Sequence, residues 1–153
     1  MQQAYGIVGI ILALTLLSAC DSKAASVDMS NPVGRIKEGI KNEAQILIEK
    51  HRDTSIKELI VNEHVGVEMP EYSVLVHLSL DKINSSETAK DTIDMYSNDL
   101  AANLVNFKNV TEITVFWEVP FLKKGVDIAK AIYQRKGGKM YLKESWYDHS
   151  VIN

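Results

Sequence analysis

The chain has 153 residues, 46% of them hydrophobic and 24% charged, with a net charge of -3. That length supports one domain and not two, and the mildly acidic balance gives no basis for a nucleic-acid-binding surface, which needs clustered positive charge. A single cysteine, Cys20, excludes a disulfide framework within the chain.

No charged side chain occurs before Asp21. From Ile7 to Leu17 the chain reads IVGIILALTLL, an apolar run too short for a membrane span, which needs about 20 apolar residues. It has the length of a signal-peptide hydrophobic region. Leu17-Ser18-Ala19-Cys20 follows it directly. This stretch resembles the lipobox of bacterial lipoproteins: an aliphatic residue, two small residues, then the cysteine. The resemblance implies cleavage between Ala19 and Cys20. It also implies a covalent diacylglycerol on the Cys20 thiol and an N-acyl group on its freed amine. Two acyl chains are sufficient for stable attachment, since each buried CH₂ contributes roughly 0.8 kcal/mol. The opening MQQAYG lacks the Lys or Arg with which signal peptides ordinarily start. A buried N-terminal helix or an uncleaved anchor are the competing readings, and neither requires the small pair before the cysteine. The expected division is a signal peptide over 1–19, the lipidated cysteine and a tether over 20–31, and one domain over 32–153. Treated as a flexible coil, the tether has a reach of roughly 18 Å.

Asn31-Pro32 opens a helix, with an Asn cap and Pro at the first helical position. Val33, Ile36, Ile40, Ala44, Leu47 and Ile48 recur at helical spacing up to about His51. Gly34 and Gly39 each lower its intrinsic stability, by up to about 1 kcal/mol. Ser55 to Val67 is rich in β-branched residues with imperfect alternation. Tyr72 to Leu80 alternates cleanly, with Tyr72, Val74, Val76, Leu78 and Leu80 on one face. Asn84 and Glu87 have the spacing of a capping box for a second helix. Its stripe is Ala89, Ile93, Tyr96, Leu100, Leu104 and Phe107, its wet side includes Asp94 and Asp99, and Asn109 is the expected stop. Val110 to Val119 returns to period two, with Ile113, Val115, Trp117 and Val119 together. Val126–Lys136 and Lys139–Tyr147 flank Gly137-Gly138, a hairpin signal. The reading is an α+β fold in the order α-β-β-α-β-β-β, an antiparallel sheet with two helices packed on one face.

No catalytic set emerges. There is no GxSxG elbow and no HExxH, and Gly137-Gly138 precedes a strand where a phosphate loop needs a helix. His64 and His77 are placed to meet across the first hairpin, but no third metal ligand is evident. Trp117, Tyr133, Tyr141, Trp146 and Tyr147 all fall on strands, where a one-residue register shift decides which face inward. Those left outside would form a partner-binding face, and Lys136, Lys139 and Lys143 lie beside them. The layout, with Phe116-Trp117-Glu118-Val119-Pro120, is similar to small lipoproteins of Gram-positive bacteria, some carried on mobile elements. The expectation is a monomeric, non-enzymatic lipoprotein on the extracytoplasmic face of the cell membrane. Its partners would be the membrane, through the anchor, and an envelope protein. A small-ligand or metal-binding lipoprotein is the alternative.

Overall fold

The computed structural model describes residues 31–64, 66–81 and 85–152. The expected signal peptide, Ala19, Cys20 and nearly all of the expected tether lie outside the described residues, as does Asn84. The elements run α1 (Pro32–Lys50), β1 (Thr54–His64), β2 (Glu71–Leu80), α2 (Ser86–Leu104), β3 (Val110–Val119), β4 (Lys123–Lys136) and β5 (Lys139–Tyr147). The five strands form one sheet in the order β1-β2-β3-β4-β5. Both helices pack on one face of it. The architecture is the α+β arrangement read from the sequence, with one refinement. The β2–β3 pair is parallel, because α2 carries the chain back across the sheet before β3 begins, whereas the other three pairs are antiparallel.

The helix starts follow from their caps. The Asn31 side chain accepts from the Val33 N–H at 3.0 Å, with Pro32 in the first turn. At α2 the cap is Ser85, not the expected Asn84: the Ser85 hydroxyl accepts from the Thr88 N–H at 3.2 Å. That helix also stops at Leu104, five residues short of Asn109. Arg135, on β4, supplies the reason. Its guanidinium donates to the carbonyls of Val105, Phe107 and Val110 at 2.7–2.8 Å, satisfying groups left free where the helix ends.

One contiguous core fills the space between helices and sheet. From α1 it takes Ile40, Ala44, Leu47 and Ile48, and from α2 Ala89, Ile93, Leu100, Ala101 and Leu104. The sheet contributes the period-two sets of β2 and β3 in full, including Tyr72 to Leu80 and Ile113 to Val119. The imperfect alternation of β1 has a definite cause. The ladder shifts register between Ile56 and Glu58, so Lys57 is an extra residue. Ile56 can therefore share the core-facing side with Leu59 and Val61 despite the odd spacing. Another shift, between Ile132 and Tyr133, makes Lys143 the extra residue of β5.

Candidate functional site

Among the described residues no helix covers the second face of the sheet, and the register places that face's residues. His77 lies opposite Glu58 on one side and Phe116 on the other. Phe116 pairs with Lys130, and Lys130 with Trp146. Charged side chains on this face are matched in pairs. His77 Nδ1 approaches Asp127 at 3.3 Å, and Lys57 approaches Glu118 at 3.7 Å. Lys130 meets Glu144 at 2.6 Å, and Lys143 meets Glu112 at 3.7 Å. The Lys130 ammonium holds the Glu144 carboxyl below the usual carboxylate range. The His77 ring stacks on Phe116 with centroids 4.3 Å apart. Exposed ion pairs of this kind contribute about 0–1 kcal/mol each. Their chief effect is to leave little unpaired charge on the face, so that its rings are its distinctive feature.

The five aromatics singled out from the sequence do not form one patch. Trp117 is fully buried, and its indole N–H donates to Ser97 at 2.9 Å. Tyr133 is 4% exposed, and its hydroxyl donates to Asn98 at 2.8 Å. Tyr147 is half-buried on the helix side, where its hydroxyl bonds Asp94 and the Lys90 ammonium lies 5.2 Å above its ring. Burial pushes the Tyr133 hydroxyl up to about 12, with the Asp94 charge adding to the effect. Burial and the Asp94 bond raise that of Tyr147 as well. Trp117 and Tyr133 are therefore core residues and are removed from the expected partner face, and Tyr147 is committed to α2. Tyr141 and Trp146, 49% and 47% exposed, remain on the uncovered face of β5.

The acceptors on α2 are the part that sequence reasoning missed. Asp94 reads there as a solvated residue, yet Asp94, Ser97 and Asn98 lie at helical i, i+3, i+4 spacing and turn toward the sheet. That spacing, beside Ile93 and Leu100, is the signal that a polar stripe faces inward. Arg135 carried no local signal, since its partners are backbone carbonyls from a distant loop.

The histidines are placed differently from the metal alternative. His64 lies opposite Glu71, while His77 lies opposite Glu58. Six strand positions, about 20 Å, separate those levels, so the two do not meet. Among the described residues no three His, Cys, Asp or Glu side chains come together in a metal-holding group. His51 is buried beside α2, stacked on Tyr96 at 4.2 Å and bonded through Nε2 to Asp99 at 2.9 Å. Its Nδ1 has no hydrogen-bond partner among the described residues. An open groove of about 440 Å³ lies between Pro32, Ile36, Gly39 and Phe107.

No family model matches the chain, and no curated protein matches it. Among solved structures, a GH3.15 acyl acid amido synthetase in complex with 2,4-DB is similar to 84% of this chain at 13% identity, with a TM-score of 0.31. A second structure of that enzyme is similar to 67% at 18% identity, with a TM-score of 0.28. The alignments cover 27% and 21% of those enzymes, so this chain spans about a quarter of their length. At such TM-scores the likeness carries no argument about fold or activity.

Proposed function

We propose that this protein is a lipid-anchored lipoprotein on the extracytoplasmic face of the cell membrane. In this reading it acts without catalysis, as an interaction module for an envelope protein. The anchor rests on Leu17-Ser18-Ala19-Cys20 and the apolar run before it. The contact face rests on one observation: Trp146 stands half exposed on the helix-free side of the edge strand β5, with Tyr141 on the same side. A tryptophan there offers a large, rigid contact area, and partner interfaces are enriched in such rings. Around it, Lys130 and Glu144 neutralise one another, as do Lys143 and Glu112, so an apolar contact can be made without stranding a charge.

Crosslinking on intact cells tests this. A photoreactive residue at position 141, on the same face as Trp146, should capture an envelope protein, and one at Lys124, six positions along β4 from the Lys130 that pairs with Trp146, should not. Trp146→Ala should reduce capture severalfold while changing stability by no more than about 0.5 kcal/mol, as for ordinary surface sites. Undiminished capture by Trp146→Ala would remove this face from consideration.

A further inference from the structure

Four separate segments converge at one end of the domain. Phe107, in the loop after α2, lines the groove at the start of α1 with Pro32 and Ile36. The next loop residue but one, Asn109, donates its side-chain N–H to the Pro70 carbonyl at 2.8 Å, which brings in the β1–β2 turn. Val105 of the same loop lines a cleft with Gly138 and Lys139, which brings in the β4–β5 turn. The chain leading to Cys20 leaves from this end, at Asn31. The opposite end carries the β3–β4 turn and the chain after β5, joined by the 2.9 Å pair of Lys123 and Asp148.

The two ends differ in surface. At the α1 end Val67 is 47% and Met69 73% exposed, the latter the most exposed large apolar side chain among the described residues. Arg35, Lys108, Lys136 and Lys139 are exposed there and form no ion pair among the described residues. Glu63, Glu68 and Glu71 lie on the β1–β2 side of the same end, and the Asn109–Pro70 bond holds the Lys108 loop against that turn, so Lys136 and Lys139 on the β4–β5 turn are the cations set apart from those carboxylates.

We infer that this end is a membrane-docking surface, on which the anchored domain stands with the lysines of the β4–β5 turn on anionic headgroups and the Met69 side chain in the interfacial layer. The inference rests on the anchor reading above. Eleven residues, Asp21 to Asn31, separate Cys20 from Pro32, at most about 40 Å of chain. Treated as a flexible coil that link spans roughly 18 Å, less than the about 33 Å of a ten-residue strand, so the end that carries Pro32 is the one held near the bilayer. A short link keeps the local concentration of surface and bilayer in the millimolar range, so a weak contact is enough to set the orientation. Each Lys or Arg close to an anionic leaflet strengthens that contact roughly five-fold. Docked this way, the strands run away from the membrane, and Trp146, at the far end of β5, stands clear of it.

The test uses the full chain, purified from membranes with the acyl group on Cys20 verified by a fatty-acid label. With Cys20 acylated, an introduced cysteine is the only free thiol. Met69→Cys and Lys124→Cys are each labelled with an environment-sensitive fluorophore and reconstituted into vesicles of phosphatidylcholine and phosphatidylglycerol that contain nitroxide lipids. The expected result is severalfold stronger quenching at position 69 than at 124, diminished when phosphatidylglycerol is omitted. Equal quenching at both positions would overturn the docking surface and leave the anchor intact. So would protection of position 69 in native membranes but not in protein-free vesicles, since the occupant would then be a protein. A chain that takes no fatty-acid label would overturn the anchor reading itself.

Discussion

Three aromatic side chains of the sheet direct their polar hydrogens at one helix. Trp117 donates to Ser97, Tyr133 to Asn98 and Tyr147 to Asp94. Each ring supplies apolar area to the helix-facing side, and each bond fixes the position of α2 over the strands. Ser97 and Trp117 are both buried, so Ser97→Ala leaves the indole N–H without an acceptor. That substitution should cost about 1–3 kcal/mol in urea unfolding. The phenols make a second prediction. Tyr133 is raised from 10.0 to about 12 in the fold, chiefly by burial. Its folded form stays protonated where the unfolded chain ionises. The stabilisation is complete below pH 10 and is lost as pH rises through about 12. Melting temperature should therefore fall across that window, and Tyr133→Phe should flatten the fall. An unchanged slope would mean that other groups control alkaline unfolding. These residues also mark the limit of the sequence reading. Alternation grouped Trp117 with Ile113, Val115 and Val119 without saying which face was buried, so Trp117 too stood among the candidates for contact. Composition alone placed Tyr133 and Tyr147 among candidates for contact, because a phenol reads the same whether its hydroxyl meets solvent or an acceptor on a helix.

Elements were legible where one period ran unbroken. The α1 cap, the apolar stripes of both helices, the strands β2 and β3, and the Gly137-Gly138 turn follow directly from residue type and spacing. The β1 pattern was blurred because a bulge at Lys57 changes which residues share a face. The end of α2 was misplaced because it is set by Arg135, thirty positions away from Val105. The parallel β2–β3 pair follows from the crossover that α2 makes, a tertiary consequence that strand patterns do not carry. Two glycines separate helix from turn in a way that can be measured. A methyl on Gly39 would meet Phe107 at 3.8 Å, an ordinary contact, within a helix. Gly39→Ala should raise stability by up to about 1 kcal/mol. Gly137 has a φ of 60°, in the left-handed region. Gly137→Ala should instead lower stability by about 1 kcal/mol. Denaturant midpoints of the two variants should move in opposite directions. A shift of the same sign in both would contradict this account of the helix or of the hairpin turn.

At the scale of the whole molecule, the sheet divides the domain into a sealed side and an open side. The helices and their polar stripe occupy the first. The second carries paired charges, the His77–Phe116 stack and the exposed rings of Tyr141 and Trp146. A module of this kind gains its role from where it is held and what it presents, and in the proposed function both depend on Cys20. No other thiol in the chain can accept a diacylglycerol. The most direct measurement is metabolic labelling of cells with a fatty-acid analogue, comparing the natural chain with Cys20→Ala. Label is expected on the natural chain only, with Cys20→Ala accumulating as unprocessed precursor. Equal label on both chains, or none on either, would contradict it.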